Sequence, residues 1–82
     1  MELDIDTYFG SAMKFHRKKL RLSQEQLADR ADMDRTFISM LERGLRKPSL
    51  ESAFIIAKAL DIDVVILIKE MQTQFERGRG NF

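Results

Sequence analysis

The stretch Ser23–Gly44, SQEQLADRADMDRTFISMLERG, decides the fold of this chain. Ser23 and Gln26 have the spacing of a capping box, in which each side chain satisfies the other residue's free backbone N–H, so a helix begins at Gln24. Its apolar face, Leu27, Ala28 and Ala31, extends only to about Ala31. Asp34 then caps a second helix whose inner face is Phe37, Ile38 and Leu41. Gly44 stops that helix in the left-handed conformation that glycine adopts most readily. Two short helices therefore meet across a tight turn. The second opens on Arg35 and Thr36, side chains that at a helix N-terminus suit contact with base edges and phosphates in a DNA major groove.

Helix-period spacing continues in both directions, and the only proline is Pro48. Upstream, Asp6 is expected to cap a helix running to about Leu20, with Tyr8, Phe9, Ala12, Met13, His16 and Leu20 on one stripe. The cations of HRKKLR (16–21) fall at the negative end of its dipole. Downstream, after the loop LRKP (45–48), Ser49 caps a fourth helix in which Leu50, Ala53, Phe54, Ala57 and Leu60 repeat at three- and four-residue steps. Beyond the turn at Asp61–Asp63, a fifth carries Val64, Val65, Ile66, Leu67, Ile68, Met71 and Phe75. The β-branched run suits a strand equally well, but KEMQTQFER (69–77) continues the spacing with good helix formers. The expected architecture is all-α: five helices in a single domain over residues 1–77, a helix-turn-helix core at 23–44, and a flexible C-terminal tail, GRGNF, at 78–82.

A chain of 82 residues is large enough for one core. With no cysteine, disulfides, thiolate metal sites and cysteine nucleophiles are excluded. One histidine, His16, cannot build a zinc site, and its expected role is packing or surface. No serine–histidine–acid set or glycine-rich phosphate loop is present, so an enzyme is not expected, nor is a cofactor or a small-molecule ligand. The acidic start MELDIDTYFG is unlike a secretory signal, and Val64–Ile68 is too short an apolar run to span a bilayer; the expectation is a cytoplasmic protein with no membrane partner. The net charge of +1 conceals an asymmetry: residues 14–47 hold ten Lys/Arg against five Asp/Glu, while the segments on either side are net acidic. A charge run alone fits a solvated helix face, but here the local field coincides with the helix pair, and local field is what attracts phosphates.

RKKLRLSQEQLA (17–28), DRTFIS (34–39) with ISMLERG (38–44), and KPSLES with AKALDI together resemble the lambda-repressor-like, XRE-type helix-turn-helix family over roughly residues 15–62. The resemblance implies a five-helix DNA-binding domain acting as a transcriptional repressor or activator. The combination of DRTFIS…ERG with a long apolar fifth helix is similar, more narrowly, to the controller proteins of restriction–modification systems. Ala28 fits the close crossing of the two helices, and Met33 fills the turn. Asp32 departs from the family, which mostly has glycine at this turn position; an aspartate tolerates positive φ at modest cost, so a slightly strained but intact turn is expected.

Site roles follow from the same resemblance. Gln24 matches a position that grips a phosphate through its side chain and the helix N-terminus. Arg35 and Thr36 match base-reading positions; an arginine can bond a guanine edge twice, and a threonine offers a hydroxyl and a methyl. Thr36, Ser39, Met40 and Arg43 lie on adjoining outer rows of the third helix, so Ser39 and Met40 join the base-reading set, although Met40 fits the core edge equally well. Phe37 is expected to pack. Arg43 and Lys47 suit phosphates, and Arg46 is better placed to reach a base or the minor groove. Arg17 and Glu42 match a partly buried salt bridge between the first and third helices, with Arg17 also near a phosphate.

The fifth helix has more apolar residues than one stripe absorbs. Val65, Ile66, Ile68 and Phe75 are expected at a homodimer interface that sets two recognition helices one DNA turn apart on a palindromic double-stranded operator. The competing arrangement is a monomer whose patch is covered by the segment around Leu3 and Ile5. Alternative functions are an antitoxin that represses its own operon, and a protein-interaction module on the same fold.

Overall fold

The computed structural model describes residues 4–79, which form α1 (Ile5–Lys19), α2 (Gln24–Ala31), α3 (Arg35–Glu42), α4 (Leu50–Ala59) and α5 (Val64–Arg79), with no strand among them. The β-branched start of α5 is thus helical, and that helix continues to Arg79. The remainder of the expected tail, 80–82, lies outside the described residues, as does Leu3.

The first four helices all start on a side-chain oxygen. The Ser23–Gln26 capping box is complete: Gln26 N–H donates to Ser23 Oγ at 3.0 Å, and Ser23 N–H to Gln26 Oε1 at 2.8 Å. Asp34 Oδ1 accepts from Thr36 N at 3.0 Å. Ser49 and Ser52 form a second reciprocal pair, both bonds 2.9 Å, because Ser52 supplies the oxygen that glutamate or glutamine usually brings. The cap of α1 is Asp4, which accepts from Thr7 N at 3.2 Å, rather than Asp6. Asp6 lies inside the first turn, where its charge favours the helix dipole instead.

α1, α2, α3 and α4 end alike. Arg21, Asp32, Gly44 and Asp61 each take a left-handed conformation, with φ of 58°, 54°, 72° and 61°. Each end closes with a Schellman pair of hydrogen bonds; at α3 these run from Gly44 N to Leu41 O (3.1 Å) and from Leu45 N to Met40 O (2.9 Å). The following residue is apolar every time: Leu22, Met33, Leu45, Ile62. Met33 and Ile62 pack against the core, and the turn at Asp32 is intact as expected.

α1 packs on α3 and α5, α2 on α3 and α4, and α4 on α5. The fully buried centre is Phe9, Met13, Leu27, Ile38, Leu41, Ile56, Leu60 and Leu67. One expected stripe is rotated and another ends early. In α4 the buried row is Ser52, Ala53, Ile56, Ala57, Ala59 and Leu60, while Leu50 and Phe54 stand 73% and 57% exposed. Both sides of this helix are apolar, so spacing alone could not say which faces inward. On α1 Leu20 is exposed too, because it is the C-cap, where the chain already turns away from the stripe.

Gly10 decides how closely α1 meets α3. A Cβ there would collide with the Leu41 carbonyl oxygen and lie 2.7 Å from that of Glu42. The absent side chain lets the last turn of α3 rest directly on α1, which determines the placement of Arg17 and Glu42.

Candidate nucleic-acid interface

The leading end of α3 projects from this scaffold. Asp34 holds the first turn, and immediately beyond it Arg35 and Thr36 are exposed, the Arg35 side chain taking no hydrogen bond or ion pair within the described protein. Ser39 and Met40 are half-buried on the same helix, so Met40 is partly at the core edge as well as facing outward. Ile38 and Leu41, fully buried, anchor the opposite face.

Gln24 opens α2 beside the opposite end of α3, at Glu42. Its side chain is half-buried and its Nε2 donates to Glu42 Oε1 at 3.1 Å. Glu42 in turn accepts from Arg17, Nε to Oε2 at 2.6 Å and Nη2 to Oε1 at 2.9 Å. Arg17 Nη1 donates to the Leu22 carbonyl at 2.7 Å. The expected structural pair is therefore a two-pronged buried salt bridge. The Arg17 side chain, only 9% exposed, commits each guanidinium nitrogen to a bond within the protein, which leaves little of it toward a phosphate.

Arg43, Arg46 and Lys47 are exposed at the exit of α3, just after Glu42. Arg43 Nε leans back on the Ser39 carbonyl at 3.4 Å, and the Arg46 guanidinium lies over the half-buried Phe37 ring, 5.2 Å from its centre. Lys47, 79% exposed, pairs with Asp6 at 3.4 Å, a contact that a phosphate can displace. Sequence reasoning gathered these cations but missed the Arg46–Phe37 stacking and the Gln24–Glu42 bond, since neither follows from spacing along one helix. Lys14 and Lys18 on α1, and Arg21 just past its end, are also exposed and unpaired among the described residues.

A second surface lies at the junction of α4 and α5. Val65, Ile66 and Ile68 are exposed, Val65 by 69%, and Phe54 and Ile55 extend the patch along a shallow open groove of about 930 Å³. Phe75, the remaining member of the expected interface set, is less exposed than the other three. It is half-buried and meets Tyr8 of α1 edge-on, ring centres 6.0 Å apart. No helix among the described residues is long and apolar enough to cross a membrane.

Comparison with known proteins bears on this geometry. Residues 13–67 match the helix-turn-helix family. Control protein C.SmaI of Serratia marcescens is 34% identical over 76 residues, covering 93% of this chain and 90% of that protein. An uncharacterized HTH-type transcriptional regulator of Mycobacterium tuberculosis is 40% identical over 58 residues, and the chain spans only 41% of its length. The restriction–modification controller protein C.Esp1396I, solved as a tetramer with its natural 35 base-pair operator, superposes with a TM-score of 0.76 at 35% identity, covering 87% of this chain and 99% of that one. The controller protein C.AhdI of Aeromonas hydrophila superposes with a TM-score of 0.72 at 38% identity, over 74% of this chain and 92% of that one.

Proposed function

The chain belongs to the XRE-type helix-turn-helix family, and on that premise we propose that it is a sequence-specific, double-stranded-DNA-binding transcriptional regulator. It acts in the cytoplasm as a homodimer on a palindromic operator, with α3 in the major groove. The observation that carries this reading is the outward, unobstructed first turn of α3, with Arg35 and Thr36 exposed beyond the Asp34 cap. Gln24, Arg43, Arg46 and Lys47, gathered around the trailing end of the recognition helix, supply phosphate contacts while its leading end reads bases. Val65, Ile66 and Ile68, joined by Phe54 and Ile55, form the dimer surface. The overlap with C.SmaI along nearly the whole of both chains supports the narrower reading, a controller-type regulator.

Selection of bound duplexes from a random pool tests the proposal. The expected product is an enriched inverted repeat with half-site centres about one helical turn apart. Failure to enrich any motif, together with undiminished duplex binding by Arg35→Ala, would remove the groove assignment.

A further inference from the structure

The carboxylate of Glu42 has more to do than neutralise Arg17. Its side chain is 2% exposed and its oxygens are held by three donors: Arg17 Nε on Oε2, and Arg17 Nη2 and Gln24 Nε2 on Oε1. Arg17 is itself fixed by its third nitrogen, on the carbonyl of Leu22, one residue before the Ser23 cap of α2. The end of α1, the end of α3 and the start of α2 are thus tied at a single point, and Gln24 is the member of this network that reaches toward solvent.

We propose that Glu42 is a positioning residue for DNA binding, its Arg17-fixed carboxylate locking the Gln24 amide in the orientation that grips a phosphate. The chemistry is one of donors and acceptors. A carboxylate only accepts hydrogen bonds, so the Gln24 amide must turn its NH₂ group, not its oxygen, toward Glu42. An NH₂ group carries two hydrogens. One is taken by Glu42, and the other stays on the side where a phosphate oxygen, also purely an acceptor, would lie. The flipped amide would set oxygen against carboxylate and present its oxygen to Glu42 without a proton between them. A glutamine free in solution samples both faces and several rotamers, and ordering it on binding costs affinity; here the ordering is done in the unbound protein. The buried pair therefore acts on the operator through Gln24, without touching DNA.

This inference rests on the DNA-binding reading, and its test separates the two. Replacing the pair with apolar residues of similar size (Arg17→Met with Glu42→Leu) removes the carboxylate without stranding a buried charge. In the ¹⁵N spectrum of the unbound parent, the two Gln24 side-chain amide protons should be widely separated; in the paired variant they should collapse to the values of a free glutamine. Operator affinity should fall about three- to tenfold in the paired variant, and by nothing further when Gln24→Ala is already present. Should the paired variant not fold, Glu42→Gln takes its place in both measurements, with a smaller loss in the same direction. Unchanged Gln24 signals, or an equal loss of affinity with and without the Gln24 side chain, would overturn the role of Glu42. If Gln24→Ala alone binds like the parent while Arg35→Ala does not, the positioning role falls and the DNA reading stands. If both bind like the parent, the DNA reading falls as well.

Discussion

Arg35 can place two parallel N–H groups against the N7 and O6 acceptors of guanine, and no partner among the described residues competes for them. Arg35→Ala is therefore expected to weaken binding to the selected operator by about 1–3 kcal/mol and to relax preference at one base position, read by titrating each single-base variant of the site. His16 makes a different kind of prediction. It is buried with its Nε2 unpartnered, and desolvation pushes its pKa below the ordinary 6.5; Glu70 pulls the other way and Lys19 adds to the lowering. Folding thus favours the neutral ring. Stability from this residue is complete above about pH 6.5 and is lost as the pH falls below it, because the unfolded chain takes up the proton first. His16→Leu should flatten the fall in unfolding temperature between neutral pH and mildly acidic buffer. Equal slopes in the two proteins would show that other groups govern acid sensitivity.

At the scale of helices, the ends were unequally legible. Starts at Gln24, Arg35 and Leu50 follow from Ser23, Asp34 and Ser49, since a short side-chain oxygen ahead of an apolar run has few other uses. The left-handed stops at Arg21 and Asp61 were not legible, because neither residue type advertises positive φ as Gly44 does. The rotation of α4 was hidden by apolar residues on both faces, and the close contact at Gly10 by the lack of any pattern that marks a mid-helix glycine as a crossing point. Within the site, the exposed Arg35 and Thr36 could be placed from the helix start, whereas contacts between elements, such as Gln24 with Glu42, required the packing. These helix ends yield stability predictions. Asp32→Gly should raise stability by about 0.5–1 kcal/mol in urea unfolding, the relieved left-handed strain exceeding the extra unfolded-state entropy. Gly10→Ala should lower it by about 3 kcal/mol, since the new methyl must push α1 away from the carbonyls of α3. It should also loosen the Arg17–Glu42 bridge that the same contact brings together.

For the molecule as a whole, the distribution of surface matters more than its total. The net charge is only +1, yet the basic excess lies between residues 14 and 47, which include the helix pair and the loop after it. The exposed apolar groups of α5 and α4 lie elsewhere, at Val65, Ile66, Ile68 and Phe54. One region suits phosphates and the other suits an apolar partner face, so a second copy joined through α4 and α5 leaves both recognition helices free. A charge placed in the apolar face then separates assembly from folding. Val65→Asp should sediment as a monomer at micromolar concentration while keeping its fold, because Val65 is 69% exposed in the single chain and contributes little to its core. Its α3 is intact, so it should still recognise an isolated half-site as the parent does. What it should lose is the advantage of the complete operator, where two linked half-sites share one association cost. Inserting about five base pairs between the half-sites, which turns one of them to the opposite face of the duplex, should reduce the parent to the affinity of Val65→Asp and leave the variant unchanged. A parent protein indifferent to that insertion would mean that each chain reads its site alone, and that the apolar face serves some purpose other than pairing on DNA.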